Sequence, residues 1–159
     1  ISRIRSEVSD ICVGAGTVTA PEQLTVLSRM RADFAVSPGC LPSLVEAAHR
    51  LEMPFLPGVM TPSETLALRE LGFGCVKFFP AVPAGGVKLV KAMSAVYPEL
   101  TFCPTGGITQ ETAPDWLALD CIRCVGGSWG APRDLIAAQD FAEIESRARA
   151  AAALASPLA

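Results

Sequence analysis

A chain of 159 residues, half of them hydrophobic and 18% charged, is long enough to bury one sizeable core and too short to favour two domains. Its net charge of -3 and its scattered Lys and Arg residues exclude the basic footprint of a nucleic-acid partner. No apolar run approaches the roughly 20 residues that cross a bilayer, and Ile1 to Asp10 mixes charge with aliphatics unlike a signal peptide, so no membrane partner and a cytoplasmic location are expected.

Ile1, Ile4 and Val8 have helical spacing and predict a helix at the start of the chain. Short apolar runs then follow: Ile11 to Val13, Phe34 to Val36, Phe55-Leu56, Cys75 to Phe79, Leu100 to Cys103 and Cys121 to Val125. Each is too short for a helix and closes on Gly or Pro, which predicts six strands. Amphipathic segments lie between them, at Glu22 to Arg31, Pro42 to Leu51, Ser63 to Leu71, Val87 to Val96 and Glu111 to Leu119, with an Ala-rich helix over about Phe141 to Leu154. Thr19-Ala20-Pro21-Glu22 and Thr61-Pro62-Ser63-Glu64 both read as capping boxes with Thr at N-cap and Glu at N3.

Six consecutive β/α units with non-alternating strands call for a parallel sheet covered by helices, either doubly wound or a (β/α)8 barrel. The strand-end loops favour the barrel. Gly14 to Thr17, Ser37-Pro38-Gly39, Pro57-Gly58, Pro80-Ala81, Pro104 to Gly107 and Gly126 to Ser128 put small or turn-forming residues after every strand, at what is the active face of a barrel. The expected fold is thus a parallel (β/α)8 barrel in a single domain over residues 1–159. With about six β/α units present, the first strand counts as the third of the barrel, and the N-terminal two units are expected to be missing.

The six cysteines have no export signal beside them and read as reduced, buried thiols. Cys121 and Cys124, three apart in a predicted strand, point to opposite faces, and no second pair stands at ligand spacing, so no metal is expected there. His49, the one histidine, reads as a helix surface residue rather than a ligand. Trp116 reads as helix packing, and Trp129 either packs beneath a loop or meets another subunit. Gly14-x-Gly16 is no dinucleotide fingerprint, because Thr19 stands where a third Gly is required.

Lys77, in the middle of Cys75-Val76-Lys77-Phe78-Phe79, carries the strongest chemical signal. Burial disfavours an ammonium and favours the neutral amine that attacks a ketone; the resulting iminium is an electron sink for breaking the adjacent carbon-carbon bond. The plainer reading is a strand-end lysine that snorkels to solvent or pairs with a carboxylate. Gly106-Gly107 and Gly126-Gly127-Ser128 end the last two strands, where the backbone of a barrel often holds phosphate; they can equally be tight turns. The Thr17 hydroxyl can reach a carboxylate or an iminium, or its own turn.

Gly14 to Val18, Phe34 to Gly39, Pro57-Gly58, Val76 to Ala81, Gly85-Gly86-Val87, Phe102 to Ile108 and Val125 to Trp129, in this order and with no large gap, closely resemble the 2-keto-3-deoxy-6-phosphogluconate (KDPG) aldolase family, often bifunctional with 4-hydroxy-2-oxoglutarate (KHG) aldolase. The resemblance implies a cofactor-free, homotrimeric class I aldolase of the Entner-Doudoroff route that cleaves a phosphorylated keto acid to pyruvate and glyceraldehyde 3-phosphate. It implies Lys77 as the Schiff-base residue, Thr17 at the pyruvyl group, Pro38, Phe79 and Thr105 lining the pocket, and Gly106, Gly107, Gly127 and Ser128 at the phosphate. The family's Leu-Glu-Val-Thr-Leu-Arg segment, with its general acid/base Glu and carboxylate-binding Arg, has no counterpart here, which predicts poor activity for these residues alone. A phosphate-binding isomerase or synthase on the same barrel, and a catalytically impaired structural subunit, stand as alternatives.

Overall fold

The computed structural model describes residues 1–154, in two compact units that divide after Phe79. Among the described residues no helix is long and apolar enough to cross a membrane.

The first unit alternates short parallel strands with helices. Its elements are α1 (Ser2–Glu7), β1 (Gly14–Ala15), α2 (Pro21–Arg29), β2 (Phe34–Val36), α3 (Pro42–Arg50), β3 (Phe55–Leu56), β4 (Gly58–Val59), α4 (Pro62–Glu70) and β5 (Cys75–Phe78). β1, β2 and β3 pair in parallel in that order, and β4 pairs in parallel with β5. Pro57, which has no N–H to give a ladder, separates β3 from β4. Leu24 and Leu27 of α2 and Leu44, Ala47 and Ala48 of α3 close over Val18, Ala35 and Met53. Three consecutive residues of β5, Val76, Lys77 and Phe78, are all buried, as a strand covered on both faces requires.

The second unit holds α5 (Gly86–Val96), β6 (Thr101–Pro104), α6 (Ala113–Leu117), α7 (Arg133–Ala138) and α8 (Phe141–Ala153). Phe102, Val90, Met93, Leu100, Ile108, Trp116 and Ile122 are among its buried apolar side chains.

Four expectations need correction. The first run forms its ladder at Gly14–Ala15 rather than at Ile11 to Val13: the Phe34 ring occupies the space beside Gly14, where a Cβ would stand 2.2 Å from it. The segment Cys121 to Val125 makes only isolated parallel bridges, Phe102 with Ile122 and Thr105 with Gly126, whose offset slips by one residue between them and so interrupts the ladder. The N-cap of α2 is Ala20 rather than Thr19, and Gln23 instead of Glu22 reaches back, accepting from the N–H groups of Thr19 at 2.7 Å and Ala20 at 3.1 Å. None of the six cysteines is in a disulfide, but only Cys103 is buried, while Cys12 and Cys124 are exposed.

The second capping box forms as expected. Thr61 Oγ1 accepts from the Glu64 N–H at 3.3 Å, and the Glu64 carboxylate accepts from the N–H groups of Thr61 at 2.8 Å and Met60 at 2.9 Å. It starts α4 at a defined place, which sets where β4 must end.

Candidate active site

In the first unit the parallel register carries the predicted residues to one end of the strands. The Val18 N–H donates to the Val36 carbonyl at 3.0 Å, and the Ser37 N–H donates to Leu56 at 3.1 Å, so the turns holding Thr17 and Pro38 leave adjacent strands. Gly58 then abuts the Pro38 loop: a Cβ there would lie 2.3 Å from the carbonyl carbon and oxygen of Pro38. Across the β4–β5 ladder Gly58 stands opposite Lys77, whose N–H donates to the Pro57 carbonyl at 2.8 Å. The sequence thus folds into an unbroken lateral path from Thr17 through Pro38 and Gly58 to Lys77.

Lys77 is 8% exposed, whereas Lys88 and Lys91, the chain's other lysines, are exposed. Its Nζ lies 4.4 Å from the centroid of the Phe79 ring. A ring face at this distance favours a cation by about 0.5–2 kcal/mol. Thr17 is exposed and held at φ 62°, a left-handed conformation that costs a β-branched residue roughly 1–3 kcal/mol.

In the second unit the two glycine-bearing turns lie side by side. Thr105 bridges Gly126, and the Gly126 N–H donates to Pro104 at 2.8 Å. The carbonyls of Thr105 and Gly106 accept from the N–H groups of Ala81 at 2.8 Å and Val82 at 3.0 Å. Gly106 and Gly107 have φ of 107° and 80°, and a Cβ on Gly107 would stand 2.8 Å from Val82, so both positions favour glycine for conformation and the second also for space. Gly127 and Ser128 are exposed, and the Trp129 ring covers Gly127 so closely that a Cβ would lie 1.6 Å from it. Trp129 therefore packs against the glycine turn. Its carbonyl accepts from Arg147 Nη1 at 3.2 Å, and Arg147 is ion-paired to Glu143 at 2.7 Å, which ties the turn to α8.

His49 is exposed on α3 and stacks on Phe73 with ring centroids 6.3 Å apart, and Trp116 is buried in helix packing, both as read from the sequence. Among the described residues no group of three or more His, Cys, Asp or Glu side chains is placed to hold a metal. Sequence reasoning missed Gly58 as the ladder partner of Lys77 and Arg147 as the tether of Trp129. A glycine directly after a proline at a strand end signals the first; nothing local signals the second.

The family described as KDPG and KHG aldolase matches residues 1–147. This chain belongs to that family. The 2-dehydro-3-deoxy-phosphogluconate aldolase of Dickeya dadantii (strain 3937) is 43% identical over 153 residues, covering 96% of this chain and 72% of that relative. Among solved structures, the Legionella pneumophila KDPG aldolase with pyruvate captured at low pH as a covalent carbinolamine intermediate superposes with a TM-score of 0.91 at 37% identity, covering 94% of this chain and 73% of that one. The Zymomonas mobilis ZM4 2-keto-3-deoxy-6-phosphogluconate aldolase with 3-phosphoglycerate gives 0.90 at 38% identity, covering 99% and 74%. As a KDPG and KHG aldolase family member, the chain has its sequence-predicted lysine buried in a parallel strand, and the expected glycine turns adjoin one another.

Proposed function

We propose that this chain is a class I aldolase that cleaves KDPG to pyruvate and glyceraldehyde 3-phosphate through a Schiff base on Lys77, with KHG cleavage to pyruvate and glyoxylate as a second activity. One observation carries the reading: of three lysines, the one inside an apolar strand is buried, next to Phe79. The fold that bears it is a (β/α)8 barrel of the class I aldolase type, of which about six β/α units lie within this chain, in line with the superposition on the Legionella and Zymomonas enzymes.

The neutral Lys77 amine adds to the substrate C2 carbonyl to give a carbinolamine, which loses water to the iminium. The C3–C4 bond then breaks as the C4 hydroxyl loses its proton. The aldehyde leaves, and the bonding pair moves into the iminium to form an enamine. Protonation at C3 and hydrolysis release pyruvate and regenerate the lysine. Thr17 contacts the pyruvyl group, and Pro38, Phe79 and Thr105 line the pocket. Gly106, Gly107, Gly127 and Ser128 receive the substrate phosphate, a role supported by the left-handed backbone of Gly106 and Gly107 and by the absence of a side chain at Gly127.

The assembly is a homotrimer on this reading, and exposed Val26, Leu41, Val96 and Phe141 supply apolar surface for subunit contacts. Sedimentation velocity should give one trimeric species, and a monomer at micromolar concentration would count against it.

Pyruvate release from KDPG should vanish in Lys77→Arg while circular dichroism stays native. Release that survives in that variant would defeat the assignment.

A further inference from the structure

Two cysteines outside the proposed chemistry are brought together by the irregular pairing in the second unit. The bridges Phe102–Ile122 and Thr105–Gly126 leave one extra residue on the 122–126 side, and a bulge of this kind re-aims the side chains within it. Cys124 Sγ stands 3.3 Å from Cys103 Sγ, about 1.3 Å longer than the disulfide bond length of about 2.05 Å. Cys124 is an exposed residue and Cys103 a buried one.

The hydrogen bond between the two thiols draws Cys124 down to about 7, outweighing the opposing effect of burial, so a large part of it is thiolate at neutral pH. Cys40 goes the other way, its thiol pushed up by burial. Cys124 therefore combines accessibility, nucleophilicity and a second thiol in reach.

We propose that Cys103 and Cys124 form a dithiol modification site that reacts with hydroperoxides, with Cys124 as the attacking thiol and Cys103 as the resolving one. The Cys124 thiolate attacks a peroxide oxygen, the O–O bond breaks, and the departing hydroxide takes a proton to leave as water, giving Cys124 sulfenic acid. The Cys103 thiol then gives up its proton and attacks that sulfur; the S–S bond forms, the S–O bond breaks and a second water leaves. Each sulfur is oxidised by one electron, and one hydrogen peroxide is reduced by two. The crosslink lies just before Thr105 on one strand and just before Gly126 on the neighbouring segment, at the base of both glycine turns. The proposal rests on the two thiols alone and stands apart from the aldolase assignment.

The test uses the 159-residue chain with one equivalent of hydrogen peroxide at neutral pH, followed by maleimide blocking and unreduced digestion with trypsin and an aspartate-specific protease. Asp120 and Arg123 separate Cys103, Cys121 and Cys124 onto different peptides. The expected product is one Cys103–Cys124 peptide pair, with loss of two hydrogens from the intact mass and of two maleimide sites, all reversed by dithiothreitol. In Cys103→Ser the reaction should stop at a Cys124 sulfenic acid trapped by a cyclic diketone, and in Cys124→Ser Cys103 should stay reduced. Prior oxidation of Cys12, Cys40, Cys75 or Cys121, or independent maleimide labelling of both Cys103 and Cys124 after the dose, would overturn the proposal. The wild-type peptide map decides this even where a variant fails to fold.

Discussion

Gly58 faces Lys77 across the parallel ladder with its own α-carbon pressed against the Pro38 loop, so a residue with no side chain sets the spacing between the buried amine and that loop. A methyl group at this position has no flexible neighbour to displace, since the atoms it meets are the carbonyl of Pro38 at 2.3 Å and the Gly39 nitrogen at 2.7 Å. Gly58→Ala should therefore lower stability by about 1–3 kcal/mol, the usual range for overpacking, seen as a lower denaturant midpoint at unchanged slope. It should also slow pyruvate addition to Lys77. A variant with native midpoint and native addition rate would mean that this contact is loose.

The Trp129 ring covers Gly127, and Trp116, the other tryptophan, is buried. In Gly127→Ala the ring must leave, because a Cβ would overlap it, and tryptophan emission should shift to the red. If this turn holds the substrate phosphate, the trapping rate with limiting KDPG should fall about tenfold, on the order of 1.4 kcal/mol. The rate with KHG, which carries no phosphate, should stay within twofold. Equal losses for both substrates would remove the phosphate role from this turn.

Glu64 gives the fold an acid-sensitive joint. Partial burial tends to raise its carboxyl, but the Met60 N–H, the Thr61 hydroxyl and the Thr61 N–H outweigh that and hold it below its ordinary value of 4.5. A group with a depressed folded-state value contributes stability that is present above the unfolded value and lost as pH falls through the folded one. The thermal midpoint should thus fall more steeply below about pH 4.5 in the wild type than in Glu64→Gln, whose midpoint is lower at pH 7. Parallel curves for the two proteins would show that the capping carboxylate is not linked to folding.

Much of this arrangement is legible in the sequence because the signals are local. Phe34 to Val36, Phe55-Leu56 and Cys75 to Phe78 are strands where the apolar runs lie, and the prolines at 21, 42 and 62 open helices, as a residue with no N–H and a fixed φ does. Lys77 stood out as a charge in an apolar run, and it is buried. What escaped depends on contacts between distant residues. The α7 helix, Arg133–Ala138, is too short to show a period. The approach of Cys124 to Cys103 follows from a one-residue slip that no single segment encodes, and the tether from Arg147 to Trp129 joins residues 18 apart in sequence.

The central claim is that Lys77 is the amine that captures a keto acid. Pyruvate and borohydride on the 159-residue chain, read by intact mass and peptide mapping, address it directly, because reduction fixes the imine whether or not later proton transfers are fast. The account predicts one reduced pyruvyl adduct per chain, on Lys77, absent from Lys77→Met. No adduct on the folded chain, or an adduct on exposed Lys88 or Lys91 instead, would contradict it.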